Sequence, residues 1–328
     1  MKTELAKVPL RPQDPHLCDL FGVLAGVKPV LYTDVLPSEE VYIRDLCRAL
    51  GLRWLKPERP SGKHFHFQKK AMFLVGRRAG DLAAAARCWR GLLAPPAGGP
   101  RGPSASLRNN FDWGCWLGYP ECCVRAYLRW RDERDAGAAS ADLVRATAEA
   151  TPAGGPLPFL LNDVFNHFSL LSTAARAQDK RRYERFIALN RGLMLPSLNA
   201  VSWHPCTYRC EESLYKAGVV YGLMRRYAPD WARRIREGLA RPVLHFGKYE
   251  FAVFEDARSR RGPAGALRVR AGKLRAPRSL LSPGLRTRLT RAGGFELRAG
   301  ALVVGGKAVA RPEPPLWLDF RGTQGCVA

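Results

Sequence analysis

The sequence predicts an α+β protein made of three consecutive units with different patterns. Residues 1–98 alternate short apolar runs with amphipathic segments and suggest a small α/β domain. Residues 106–240 are mainly helical, and residues 241–328 alternate apolar and polar residues between glycine-containing turns. A Pro- and Gly-rich stretch at 94–106 separates the first two units. A chain of 328 residues is long enough for two or three such domains.

The first unit has two strand-like and two helix-like segments. Apolar runs at 28–35 and 71–78 predict strands, and helical spacing at 38–50 and 80–93 predicts helices with Ser or Asp near their starts. Because strands alternate with helices, we expect a partly parallel sheet.

The middle unit is predicted to be helical and to carry the cysteine motifs. Helical patterns cover 121–136, 159–177, 179–195, 206–227 and 231–240. The last unit has alternating segments at 242–256, 265–276 and 293–310, which predict a small antiparallel β domain.

The chain is strongly basic, with 53 Lys and Arg against 29 Asp and Glu and a net charge of +24. Such a charge attracts polyanions, so RNA or DNA is a candidate partner. Eleven basic residues and no acid lie between Arg258 and Gly294, a segment that has no aromatic side chain for base stacking. The candidate phosphate contacts are Arg258, Arg260, Arg261, Arg268, Arg270, Lys273 and Arg275.

The sequence has no apolar run of about 20 residues, so we expect no membrane contact through a spanning helix. The first residues are polar and interrupted by proline, which predicts a cytoplasmic protein. Nine cysteines, an odd number, argue against a disulfide framework.

Two adjacent cysteines, Cys122 and Cys123, follow a turn in "LGYPECCVRAY". Gly118 suits the turn and Pro120 suits a helix start, so both thiols are expected in the first helical turn. Adjacent helical side chains point about 100° apart, so a cluster with several irons would accept both more easily than one ion.

A second pair, Cys206 and Cys210, occurs in "HPCTYRC". If the helix begins at Pro205, the two thiols lie on one face about one turn apart, with His204 as a third ligand or a neighbour of the metal. Taken alone, this spacing fits two small core residues equally well.

Both motifs place thiols at the positive end of a helix dipole, which favours thiolate, the form that binds metal. We therefore predict that the two motifs converge on one metal site. Its ligands are Cys122, Cys123, Cys206 and Cys210, with His204 as a substitute. An iron–sulfur cluster with redox or sulfur-transfer activity is favoured, and a zinc ion is the alternative.

Two other functions stay open from the residues alone. One is a nucleic-acid-binding module with a structural zinc site, and the other is a metal-free enzyme that uses Cys122 or Cys123 as its nucleophile. The pattern does not decide whether the protein is an enzyme.

The two cysteine motifs together resemble an uncharacterised prokaryotic family with a GYPxCC segment and a later HPC-x3-C segment. The resemblance covers about residues 70–255. Since that family has no settled activity, the resemblance implies only that the motifs belong together.

Four further residues are candidates for contacts near the metal or with a substrate. They are Tyr119, which neighbours the cysteines, Asn162 and Asn166 at helical i, i+4 spacing, and Glu211 after Cys210. Loop capping explains the two amides equally well, and a helix dipole suffices to explain Glu211.

Overall fold

A computed structural model of the protein describes residues 17–35, 37–57, 71–93, 103–135, 142–164, 199–247, 250–262, 265–275, 279, 281–311 and 313–325. These residues form helices and antiparallel sheets, which confirms the predicted α+β class. Within this part of the chain, every helix is too short or too polar to cross a bilayer.

The first unit is a three-stranded sheet with three helices. Its elements are α1 (Leu17–Ala25), β1 (Val30–Val35), α2 (Glu40–Ala49), β2 (Arg53–Leu55), β3 (Ala71–Gly76) and α3 (Ala79–Leu93). Both pairings in the order β1-β3-β2 are antiparallel, so the predicted partly parallel sheet is wrong. The strands β1 and β2, which α2 connects, run in the same direction. They are not neighbours, because β3 lies between them and runs antiparallel to both.

The middle unit is helical, as predicted. It contains α4 (Pro103–Trp116), α5 (Glu121–Asp135), α6 (Leu143–Glu149), α7 (Glu211–Tyr227) and α8 (Pro229–Leu239). The predicted helix at 159–177 is only a 3-10 turn, Phe159–Leu161, within the described residues. The chain turns extended at Asn162, and residues 165–198, including Asn166, lie outside the described part.

The last unit contains two antiparallel sheets, as the alternating pattern predicted. The three-stranded sheet has the order β11-β4-β5 and the five-stranded sheet has the order β10-β9-β8-β7-β6. The strands are β4 (Pro242–Gly247), β5 (Glu250–Val253), β6 (Arg258–Arg261), β7 (Leu267–Arg270), β8 (Gly294–Arg298), β9 (Ala301–Val304), β10 (Lys307–Val309) and β11 (Leu316–Asp319).

One helix of this unit, α9 (Pro283–Ala292), was not predicted. Its ends carry ordinary boundary residues, since Pro283 opens it after Ser282 and Gly293 closes it with a φ of +62°. Leu285 and Leu289 are buried on its inner face. The leucines at i, i+4 spacing in this helix follow a segment, Arg258 to Arg275, in which seven residues are basic.

The largest hydrophobic core contains residues of all three units, among them Phe21 of α1, Tyr208 before α7 and Phe251 of β5. The three units therefore pack on one another through this core. The boundaries drawn from composition stay predictions.

Candidate metal centre

The "GYP" turn places the first cysteine pair at the start of α5. The amide of Gly118 donates to the carbonyl of Cys115 at 2.9 Å, and the amide of Tyr119 donates to Gly114 at 3.0 Å, which closes α4. The next helix, α5, begins at Glu121, so Cys122 and Cys123 occupy its first turn as predicted.

The second pair does not lie on a helix face, which corrects the prediction for 206–227. Helix α7 begins at Glu211, and Cys210 is its N-cap residue. Two amides before this helix donate to side chains and not to the backbone carbonyls of a helix. The amide of Tyr208 donates to Thr151 Oγ1 at 2.9 Å and that of Arg209 donates to Thr207 Oγ1 at 3.2 Å. Cys206 therefore lies in a loop, and Cys210 lies at the start of a helix.

The four thiols converge, as the sequence predicted. Their sulfurs all lie within 4.8 Å of one another. The Sγ of Cys210 is 3.5 Å from that of Cys122 and 3.7 Å from that of Cys123, and the adjacent sulfurs of Cys122 and Cys123 are 3.9 Å apart. Adjacent thiols can therefore serve one ion, against the expectation from the 100° spacing. The four cysteines are close enough to bind a metal.

A chain of hydrogen bonds supports the buried sulfur of Cys123. The indole Nε1 of Trp203 donates to Ser213 Oγ at 3.0 Å, and Ser213 Oγ forms a hydrogen bond with Cys123 Sγ at 3.1 Å. The amide of Cys206 also donates to this sulfur, at 3.2 Å. Donors of this kind stabilise a thiolate and fix its direction. Sequence reasoning missed Ser213, although it lies three residues after Cys210 in the same motif.

Protonation of the four thiols is strongly uneven. Burial and then contact with Cys210 raise the pKa of Cys122, and contacts with Cys206 and Cys210 raise that of Cys123. Contact with Cys123 lowers the pKa of Cys206, but contact with Cys210 and burial outweigh it and leave a pKa of about 12. Contacts with Cys123 and Cys206 lower the pKa of Cys210. A divalent ion bound by the four sulfurs would displace the protons that they hold.

The ring of His204 is held beside the cluster rather than in it. Within the described residues, the group of close ligand atoms consists of the four thiols. The Nδ1 of His204 lies 2.7 Å from Asp163 Oδ2, and the hydroxyl of Tyr208 donates to Asp163 Oδ1 at 2.7 Å. The role of His204 as a substitute ligand stays a prediction. Its Nδ1 forms a hydrogen bond with Asp163.

The remaining candidates near the site have structural partners. Asn162 Nδ2 donates to the carbonyl of Leu239 at 2.8 Å and Asn162 Oδ1 accepts from the amide of Val164 at 3.2 Å, so this amide holds a loop. Glu211 is exposed in the first turn of α7, where a negative charge is favourable. The ring of Tyr119 lies 5.6 Å from that of Trp203, and burial raises its pKa well above the usual value.

The basic residues predicted as phosphate contacts fall in and after β6 and β7. Arg258 lies opposite Arg270 and Arg260 lies opposite Arg268, so these four arginines share one face of the sheet. Arg261, by alternation, lies on the other face. Lys273 is exposed after β7, and Arg275 forms an ion pair with Glu255 at 2.9 Å.

The fold and the site define an α+β protein with a four-cysteine cluster that joins two sequence motifs. No protein-family model, curated protein or solved structure matches this chain.

Proposed function

We propose that the four cysteines hold a single zinc ion in a closed, structural site. The observation that carries this proposal is the spacing of the sulfurs, with pairs at 3.5, 3.7 and 3.9 Å. Four thiolates at about 2.3 Å from a tetrahedral zinc lie about 3.8 Å from one another. Cysteines that bind different irons of a cluster lie farther apart, so the spacing favours one ion over the iron–sulfur cluster that the sequence suggested.

A closed site has consequences for chemistry. Four protein ligands leave zinc with no open position, which is the arrangement of structural zinc rather than catalytic zinc. A metal-free thiol enzyme is also disfavoured. A reactive cysteine needs a lowered pKa, whereas the pKa of the exposed thiol, Cys122, is raised. The site therefore serves to tie the first turn of α5 to the loop before α7.

We expect the full chain to be isolated under reducing, anaerobic conditions as a colourless protein with one zinc per chain, measured by elemental analysis. Replacing zinc by cobalt should give the intense charge-transfer and visible bands of tetrahedral thiolate ligation. A brown protein with acid-labile sulfide would establish the cluster instead. A protein without zinc or iron that cannot be loaded would contradict both assignments.

The second candidate function is nucleic-acid binding by the outer face of β6 and β7. Like charges opposite each other destabilise a sheet, yet Arg258 faces Arg270 across this pair of strands, and Arg260 faces Arg268. Arg268 is balanced by Glu296 at 2.9 Å. Within the described residues, the other three guanidinium groups are exposed with no ion pair to a carboxylate. A phosphate backbone would supply the missing negative charge.

We expect the full chain to bind a short RNA or DNA duplex with a steep salt dependence, measured by fluorescence anisotropy. The triple change R258Q, R260Q and R270Q should reduce the slope of log K against log salt by about 3, since each phosphate contact contributes about 0.9. The control R48Q, R233Q and R321Q removes the same charge from arginines that are paired with acids elsewhere. Equal slopes for the two variants would contradict a site on this face.

A further inference from the structure

A cavity of about 230 Å³ lies directly beside the cysteine cluster. It is bounded by α1, β1, α4, α5 and the loop at 202–204, and Cys123 forms part of its wall. Its wall includes the aromatic side chains of Tyr32, Trp113, Tyr119, Tyr127 and Trp203. Pockets for drug-sized ligands measure about 300–1,000 Å³, so this one suits a single flat ring system.

Among the described residues, one polar atom of this wall has no hydrogen-bond partner. The side chain of His204 lines the cavity and is 9% exposed, and its Nε2 is buried without a hydrogen bond. Buried polar atoms are nearly always paired, so an unpaired nitrogen in a residue that lines a cavity is a position at which a ligand can supply the partner.

The orientation of this nitrogen is fixed by the surrounding side chains. Asp163, 2% exposed, accepts from Nδ1 of His204 at 2.7 Å, and its other oxygen is held by Tyr208. The imidazole also stacks on Tyr127, with ring centroids 6.3 Å apart and an angle of 13°. Because a carboxylate accepts, Asp163 selects the imidazole tautomer with its hydrogen on Nδ1, and in that tautomer Nε2 is an acceptor. The ligand should therefore present a donor to it.

The charge at the other polar part of the wall is already balanced. Asp19 lines the cavity, and Lys28 Nζ lies 2.5 Å from its carboxylate while Ser202 donates to the same oxygen at 2.6 Å. A neutral ligand fits this arrangement better than a charged one, because a second charge would meet a pair that is already compensated.

We propose that this cavity binds a small, neutral heteroaromatic ring with an N–H group, the chemical class that includes nucleobases. The ring lies against the aromatic wall and donates its N–H to Nε2 of His204. This binding site is distinct from the four-thiol site and does not depend on which metal the thiols hold.

A matched pair of ligands tests the proposal on the unmodified protein. Benzimidazole has an N–H group, and 1-methylbenzimidazole has the same ring and the same metal-binding nitrogen without it. We expect benzimidazole to change the tryptophan fluorescence in a saturable way, because Trp113 and Trp203 lie in the wall. The methylated ring should bind at least about tenfold more weakly, since it leaves Nε2 unpaired. Equal affinities, or no saturable binding by benzimidazole, would overturn the proposal.

Two histidine variants then assign the acceptor. H204F keeps a ring against Tyr127 but removes Nε2, so the preference for benzimidazole should disappear. H245F is the control, because His245 is also a buried histidine paired with a carboxylate, Asp142 at 2.6 Å, and lies outside the cavity. It should keep the full preference. A preference that survives in folded H204F would remove His204 from the site, and if H204F does not fold, the two ligands on the unmodified protein decide the outcome.

Discussion

Changing Cys123 to Ser should lower the stability of the protein far more than an equivalent change elsewhere in the core. The variant loses one of the four thiols and, with it, the proposed zinc ion that would tie α5 to the loop before α7. A ligand present at about 1,000 times its dissociation constant stabilises the folded state by about 4 kcal/mol. The melting temperature measured with zinc present should therefore fall by roughly 6 °C in addition to the effect of the buried hydroxyl.

The matched control for this change is C47S. Cys47 and Cys123 are both 2% exposed, so both variants bury one hydroxyl, at a cost of about 1–3 kcal/mol. Cys47 lies in α2 and is not among the clustered thiols. A chelator should lower the melting temperature of the unmodified protein and of C47S by similar amounts and leave C123S almost unchanged. Equal losses for the two variants, each with the same response to the chelator, would show that Cys123 holds no metal.

The metal should also bind more weakly as the pH falls. Three of the four thiols have a raised pKa, so protons compete with the ion for their sulfurs. If the proposed zinc is bound, its stabilisation should be present at neutral and higher pH and should be lost on acidification.

The fold elements with strong local patterns were predictable from the sequence. The helices α2, α3 and α5 and the strands β1 and β3 follow hydrophobic periodicity and end at ordinary boundary residues. The strand order of the first sheet was not predictable in this way. The strand β3 lies between β1 and β2, and it pairs with β1 although the two are far apart in the sequence. Periodicity records which face of a segment is buried but not which strand lies beside it.

The convergence of the four cysteines was predictable from their motifs, but the form of the site was not. The interval between Cys206 and Cys210 suggested one helix, whereas side-chain hydroxyls accept from the amides of Tyr208 and Arg209 and the helix begins only at Glu211. Likewise, the roles of Ser213 and Asp163 depend on contacts with Trp203 and His204, which only the folded chain brings about. Contacts between residues that lie far apart along the chain could not be predicted from the sequence.

Gly118 carries the second large expected effect, because the turn before α5 has no room for any other residue. Its φ is +75°, and a Cβ at this position would lie 2.7 Å from the Cα of Lys28. Lys28 cannot retreat easily, since it is 3% exposed and its Nζ is bound to Asp19 and Ser202. G118A should therefore cost about 3 kcal/mol or more, of which the left-handed backbone accounts for about 1–2 kcal/mol.

The change G51A separates the two causes. Gly51 has a φ of +64°, but a Cβ there would meet no atom within 4 Å, so this variant bears the cost of the backbone conformation alone. Denaturant unfolding of both variants should show G118A losing at least about 1 kcal/mol more than G51A. Because the same turn leads into Cys122 and Cys123, G118A should also weaken zinc binding while G51A leaves it unchanged. Equal losses of stability would mean that Lys28 moves aside freely, and the contact between the first unit and the cysteine turn would then not hold the metal centre in place.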